Sequence, residues 1–184
     1  MERIGSSLKG IYRDILKDQN NNIIFDSGWQ KNKIVHRCRN LLAAFMKNDD
    51  TKPATGIVRL RVGQGLEVWD TEGAPVPGDS DTGLVTPHPT FTVELTDLDL
   101  AYLNPSGVEV EEPTNRLQVT ATLGNNQPLP LEPQLTSYPL REFGLFGEYN
   151  DGTETQEYMI DCIRHPLIDK DVNTTLIRVV RLYF

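Results

Sequence analysis

The sequence predicts a mainly β protein, an antiparallel β-sandwich with one amphipathic helix at about residues 33–47 packed on it. Three observations support this prediction. A single stretch repeats its apolar residues with the period of a helix. From Gly56 onward, segments rich in β-branched residues alternate with glycine- and proline-rich breaks. The length of 184 residues suits one domain, so we expect a single β-rich domain over residues 1–184.

The N-terminal part is predicted to form a β-hairpin. Residues 8–18 and 22–29 mix apolar and polar side chains, and Gln19, Asn20 and Asn21 separate them. Asparagine tolerates the left-handed backbone that tight turns require, so these three residues are expected at the tip of the hairpin.

The predicted helix follows the hairpin. Its apolar side chains share one helical face, and they are Ile34, Val35, Cys38, Leu41, Leu42, Phe45 and Met46. Asn32 is the expected N-cap, and residues 48–50 are expected to end the helix. A stripe this wide predicts core packing, so we expect Phe45 and its neighbours to pack onto the sheet that contains residues 174–184.

Short strands and two long loops are expected to make up the rest of the chain. The strand candidates are residues 56–65, 90–103, 116–123, 140–148, 157–168 and 174–184. The loops, at about 70–90 and 124–137, are rich in proline, which breaks regular structure, and the first is also rich in glycine.

Composition narrows the classes of partner. The chain has 18 basic and 26 acidic residues, for a net charge of −8, and an acidic chain is a poor non-specific binder of nucleic acid. No apolar run approaches the roughly 20 residues that a membrane helix needs, and the N-terminus lacks the apolar stretch of a secretory signal. We therefore expect neither a nucleic-acid nor a membrane partner.

The charges are distributed unevenly along the chain. Residues 1–61 carry a net charge of +6, residues 62–115 carry −11, and residues 116–184 carry −3. One interpretation is a solvated acidic loop region. The other is a subunit whose basic part contacts the acidic part of a neighbouring copy, since opposed charges steer such contacts. The second interpretation predicts these interface residues: Arg37, Arg39, Arg59, Arg61, Glu67, Asp70, Glu72, Asp79 and Asp81.

The sequence contains no common catalytic motif. It has no G-x-S-x-G, P-loop, H-E-x-x-H or G-x-G-x-x-G pattern, and a turn explains Gly63-Gln64-Gly65 better than a phosphate site does. His36, Cys38, Cys162 and His165 are zinc-ligand types, but side chains at positions 36 and 38 of a helix point about 200° apart. We expect both cysteines in the core, and no catalytic residue, no cofactor and no metal.

Three stretches of the chain form a recognisable series. They are FDSGWQKNKIVHRCRNLLAAFM at 25–46, IVRLRVGQGLEVWD at 57–70, and LREFGLFG at 140–147 with the closing segment 163–184. Together and in this order they resemble small tail-associated structural proteins of tailed bacteriophages. In that group a strand with a Gly-aromatic pair leads to a helix, a V-G-x-G turn follows, and a closing strand ends in an aromatic residue. Residues 71–135 share no such likeness.

The resemblance implies a structural protein of the bacteriophage virion, located in the tail and made in the bacterial cytoplasm. Such proteins are assembly parts rather than enzymes. The implied partners are other copies of the chain, in a homo-oligomeric ring or cluster, and other tail proteins of the fibre, baseplate or neck. Two alternatives stay open: a host-surface glycan-binding module that uses Trp29 or Trp69 to stack on a sugar, and a neck or collar component near the head–tail junction.

Overall fold

The computed structural model describes residues 8–47, 53–150 and 152–184. Its strands form two antiparallel sheets packed face to face, which confirms the predicted β-sandwich. In chain order the elements are β1 (Lys9–Lys17), β2 (Ile23–Asp26), β3 (Gln30–Lys31), β4 (Lys33–Ile34), α1 (His36–Lys47), β5 (Ala54–Gly63), α2 (Trp69–Glu72), β6 (Pro87–Glu94), a 3-10 turn (Leu95–Asp97), β7 (Leu98–Leu103), β8 (Glu109–Val110), β9 (Arg116–Leu123), β10 (Ser137–Asn150), β11 (Thr155–Met159), β12 (Asp161–Asp171) and β13 (Thr175–Tyr183).

The first sheet has the strand order β2-β1-β13-β9-β7-β8, and β3 also pairs with β1. The predicted hairpin is its β1–β2 pair, and Asn21 in the connecting turn has the expected left-handed backbone, with a φ of 67°. Along β1 buried and less buried residues alternate, so Tyr12, Asp14 and Leu16 face the interior of the sandwich.

The second sheet has the order β4-β12-β10-β5-β6, with β11 paired to the far end of β10. Residues of β10 are buried on both faces, because the 73–86 segment and Val35, the residue just before α1, cover the face that points away from the first sheet. Phe143 and Leu145 belong to the main core between the sheets, whereas Phe146 packs with Val35, Met159 and Leu84 in a smaller cluster.

The helix begins later than predicted. Lys33 and Ile34 pair with β12 as a short strand, and the side chain of Asn32 donates to Asp161 at 2.8 Å, so Asn32 is not the N-cap. The backbone N–H of His36 donates instead to the carbonyl of Asp79 at 2.9 Å. These contacts hold the chain extended until Val35. The residues predicted to end the helix, 48–50, lie outside the described residues.

The predicted burial of Leu42 and Phe45 is wrong. Val35, Cys38 and Leu41 are buried, but Phe45 is 64% exposed and Leu42 is 37% exposed. The main contacts of α1 are with β5, β10 and β11 of the second sheet rather than with β13. Because the helix lies along the end of the sandwich, only one side of its apolar stripe reaches the core.

The first long loop is shorter than predicted and its flanks are structured. Residues 69–72 form the one-turn helix α2, and β6 begins at Pro87. The Gly63-Gln64-Gly65 turn leads into α2: Gly65 has a φ of 55°, and any side chain there would collide with the Trp69 ring. A side chain at Gly63 would collide with Glu142. Close packing against Trp69 and Glu142 therefore explains why residues 65 and 63 are both glycine.

Candidate interaction surfaces

Arg59 and Arg61, predicted to contact another copy, have partners within the chain. Arg59 on β5 forms ion pairs with Glu148 at 2.7 Å, Glu157 at 2.8 Å and Glu94 at 3.4 Å. Hydrogen bonds to these carboxylates, with that of Glu157 contributing most, raise the pKa of Arg59. Arg61 also pairs with Glu157, at 3.1 Å. This cluster joins β5, β6, β10 and β11. Its ion pairs therefore stabilise the second sheet within a single subunit.

The acidic residues predicted at the same contact also pair within the chain. Asp70 binds Arg141, with Oδ2 2.6 Å from Nη2, and the bonds to Arg141 lower the pKa of Asp70. The carboxylate of Asp81 lies 2.9 Å from Arg164.

Asp79, like the Arg59–Glu94 pair, joins the basic and acidic parts of the sequence inside one subunit. Its carboxylate lies 2.7 Å from the Lys33 ammonium, and this bond is the main reason that the pKa of Asp79 is lowered. The His36 ring is 3.9 Å away. The 73–86 segment is thus fastened to its own subunit at the start of α1, rather than being free over its whole length to reach a neighbour.

A buried carboxylate holds the other end of that segment. Glu142 on β10 is fully buried and accepts hydrogen bonds from the backbone N–H groups of Val85, at 2.9 Å, and Thr86, at 2.6 Å. Of the nine predicted interface residues, five are exposed: Arg39, Glu67, Asp70, Glu72 and Asp79. Arg37 lies half-buried, with its guanidinium 5.0 Å from the Tyr158 ring centre. Contact of these residues with a second copy stays a prediction.

An apolar groove lies between α1 and the open end of the sandwich, and we call it the α1 groove. Its cavity has a volume of about 520 Å³. The inner wall is made by buried residues, including Cys38, Leu41, Ile160 and Leu182. The rim is formed by exposed side chains: Leu42, Phe45, Leu95, Leu100, Tyr102 and Phe184. Large exposed apolar patches mark interaction sites for proteins or membranes, or ligand-binding grooves.

A polar network occupies the interior of the sandwich. Arg178 on β13 is fully buried and donates from Nε to Asp14 Oδ1 at 2.6 Å and from Nη2 to Asp14 Oδ2 at 3.0 Å. Its guanidinium carbon lies 3.5 Å from the centre of the Phe143 ring. Nη1 has no hydrogen-bond partner among the described residues, and the aromatic face of Phe143 supplies a cation–π contact instead.

His165 completes this network from the opposite sheet. Its Nδ1 lies 2.7 Å from the carbonyl of Pro166 and its Nε2 lies 3.0 Å from Arg178 Nη2. Since a carbonyl only accepts and a guanidinium only donates, the ring is neutral with its proton on Nδ1. Burial, with help from Arg178, lowers the pKa of His165 to about 4. Both ring nitrogens are engaged, so this arrangement suits packing between the sheets better than proton transfer.

Two other ionisable groups are buried near the sheet ends. Asp161 accepts from the backbone N–H of Leu145 at 2.7 Å, and burial raises its pKa to about 7. The ammonium of Lys170 donates to the carbonyls of Thr174 at 2.7 Å and Gly124 at 2.9 Å, and burial lowers its pKa to about 8. Lys170 thereby fastens the start of the 124–137 loop to the β12–β13 turn.

Sequence reasoning missed Asp14 and Arg178, although a signal was present. Arg178 shares the alternation of Leu176, Val180 and Leu182 along β13, and Asp14 shares that of Tyr12 on β1. Side chains two residues apart on a strand face the same side, so both charges were placed on inward-facing positions by the pattern alone.

The expected fate of the cysteines is confirmed, because Cys38 and Cys162 are both buried and free. In the described part of the chain, no group of three or more His, Cys, Asp or Glu side chains is arranged to hold a metal ion. Trp69 is buried beside Arg164, and the exposed Trp29 ring is covered on one side by Arg181 at 4.5 Å.

No protein-family model matches this chain. No curated protein and no solved structure matches it significantly. None of the helices that the structure describes combines the length and apolar character needed to cross a bilayer. The fold and its surfaces define a β-sandwich with exposed apolar side chains at more than one edge.

Proposed function

We propose that this chain is a structural protein of a bacteriophage tail that assembles in several copies and docks fibre, baseplate or neck components. The observation that carries the proposal is the α1 groove, whose rim exposes Phe45, Tyr102 and Phe184 to solvent. A protein that functions by binding other proteins needs such a surface, since apolar burial supplies most of the affinity of an interface.

The stretches that resemble tail proteins also support the proposal by their placement. Residues 57–70 contain most of β5, residues 140–147 lie in β10, and residues 163–184 contain most of β12 and all of β13. The strand β10 lies between β5 and β12, and α1, from the first stretch, packs on β5 and β10. The strand β13 lies in the first sheet, so segments far apart in the sequence meet in both layers of the sandwich.

Labelling of whole particles tests this proposal. Antibodies raised against the purified chain would be used with gold conjugates for electron microscopy of phage particles from the source culture. Gold at the tail supports the proposal, and its position separates the baseplate, the fibre base and the neck. Particles that stay unlabelled, while the same antibodies detect the chain in the particle-free fraction, contradict it.

A further inference from the structure

The first sheet carries opposite charges at its two ends. We call the end formed by β1, β2 and β3 the basic edge. The alternation of buried and less buried residues along β1 places Lys9 and Lys17 on the outer face of the sheet. Lys31 pairs with Ile11 across the strands, so it lies on that same face. Among the described residues, these three lysines form no ion pair.

The opposite end, formed by β7 and β8, is the acidic edge. Residues 95–115 contain five acidic residues and no lysine or arginine. Asp99 lies on β7 and Glu109 on β8, and Glu109 accepts from Gln118 at 3.2 Å. Neither carboxylate is paired with a cation within the part of the chain that the structure describes.

Both edges also expose apolar side chains. On the basic edge the whole of β2 is exposed, with Ile23 at 58%, Ile24 at 55% and Phe25 at 41%. On the acidic edge Val108 is 59% exposed, and Tyr102 belongs to the rim of the α1 groove. An edge strand that is exposed and apolar is a ready site for association with another chain.

We propose that the basic edge of one copy docks on the acidic edge of the next, so that the chain binds a second copy of itself head-to-tail. Charge complementarity selects this occupant, because the chain itself supplies both signs at the two ends of one sheet. A contact of either edge with its own equivalent would place like charges together. The strands β2 and β8 are short, so side chains rather than a long hydrogen-bonded ladder form most of the contact.

The inference deepens the proposed function and rests on it. Each copy uses one surface to bind and the other to be bound, which is the arrangement that generates rings or open filaments. This contact differs from the one predicted from sequence charge, three of whose residues, Arg59, Asp70 and Asp81, pair within their own subunit. In the assembly, Ile24 and Phe25 of one copy lie against the α1 groove rim near Tyr102 of the next.

Cysteine cross-linking between separately labelled proteins tests this contact. Ile24→Cys and Val108→Cys are prepared as full-length proteins of different tag size, mixed, and treated with a short thiol-reactive cross-linker. Cys38 and Cys162 are 3% and 0% exposed, so they contribute little background. Leu129→Cys, at a position 58% exposed on the 124–137 loop, is the matched control partner for Ile24→Cys.

The mixture of Ile24→Cys and Val108→Cys is expected to give a cross-linked product of mixed tag size, while each variant alone and the Leu129→Cys mixture give little. Dimers formed by Ile24→Cys alone or Val108→Cys alone would overturn the head-to-tail arrangement. A chain that light scattering finds oligomeric, but in which only Leu129→Cys cross-links, would also overturn it without affecting the proposed function. A chain that stays monomeric at its highest soluble concentration would overturn the self-contact, and particle labelling then decides the proposed function separately.

Charge reversal provides a second readout that does not depend on cysteine chemistry. Lys17→Glu with Lys31→Glu reverses charges of the basic edge, and Asp99→Lys with Glu109→Lys reverses charges of the acidic edge. Either pair of changes is expected to weaken self-association by about tenfold or more, since like charges then oppose each other. Mixing the two reversed proteins restores a contact of opposite charges, and failure of that mixture to associate better than either alone contradicts the inference.

Discussion

Arg178 and His165 come from opposite sheets and meet inside the sandwich, with Nη2 of the arginine 3.0 Å from Nε2 of the histidine. Asp14, which pairs with Arg178 across β1 and β13, neutralises the guanidinium. Hydrogen bonds have fixed directions, whereas apolar contacts do not, so this network fixes how the two sheets are positioned relative to each other.

Removing the arginine of this network should strongly destabilise the protein. Arg178→Met leaves the Asp14 carboxylate buried without its partner, and breaking a buried pair in this way costs about 3–5 kcal/mol. Arg13→Met is the matched control, because Arg13 pairs with Asp26 on the outer face of the same sheet, where both side chains are partly exposed. Urea unfolding should show a large loss for the first variant and a much smaller one for the second. Equal losses of unfolding free energy would mean that the buried Asp14–Arg178 pair stabilises the protein no more than the partly exposed Arg13–Asp26 pair does.

The pH dependence of stability should have two opposing contributions. The pKa of His165 is lowered from 6.5 to about 4, so its contribution is present above pH 6.5 and is lost as the pH falls toward 4. The pKa of Asp161 is raised from 3.8 to about 7, so its contribution is present below pH 3.8 and is lost as the pH rises toward 7.

Two variants separate these contributions. Relative to His165→Gln, the unchanged protein should lose stability as the pH falls from 6.5 to 4. Relative to Asp161→Asn, it should lose stability as the pH rises from about 4 to 7. Denaturant midpoints measured across this range check both slopes, and a difference that stays constant with pH would show that the group does not titrate as described.

The two apolar residues Leu41 and Phe45 of α1 should behave differently when truncated. Leu41 is 6% exposed, and Leu41→Ala should cost about 2–5 kcal/mol, as truncation of a core leucine does. Phe45 is 64% exposed, and Phe45→Ala should cost less than about 1 kcal/mol. Thermal or urea unfolding measures both. A large loss for Phe45→Ala would mean that α1 packs more deeply than described.

Self-association should weaken as salt is added. The proposed contact pairs exposed lysines with exposed carboxylates, and the Debye length falls from about 10 Å at 0.1 M salt to about 3 Å at 1 M. Sedimentation or light scattering across this range should show smaller assemblies or slower assembly at high salt. Association that strengthens with salt would indicate a contact dominated by apolar burial, and the charged edges would then have no part in it.

The fold class could be predicted from local patterns, because alternation, turn residues and helical periodicity are properties of neighbouring residues. The β1–β2 hairpin and the helix were identified in this way. The start of the helix could not be, since the pairing of Lys33 with Cys162 and the bond from Asn32 to Asp161 join residues about 130 positions apart. The exposure of Phe45 could not be predicted either, because periodicity gives the direction of a side chain but not whether a sheet lies opposite it.

Which charged residues pair within the chain could not be predicted, for a related reason. Net charge along the sequence indicated basic and acidic regions, yet Arg59 lies beside Glu148 and Glu157, and Asp81 lies beside Arg164. These pairs depend on which strands become neighbours, as β5 and β10 do. Only charged residues without an oppositely charged neighbour in the same chain are available to bind a partner. Identifying them requires knowledge of the fold.

Cryo-electron microscopy of an intact phage tail would show whether this chain is part of it and which surfaces join its copies. The described β-sandwich would be fitted as a rigid body into a map of the tail and its attached structures. We expect several copies around the tail axis, with Lys31 of each copy close to the β7–β8 edge of the next. A well-resolved tail map whose densities are all assigned to other chains would contradict the proposed function, and copies that meet through other surfaces would contradict the head-to-tail contact.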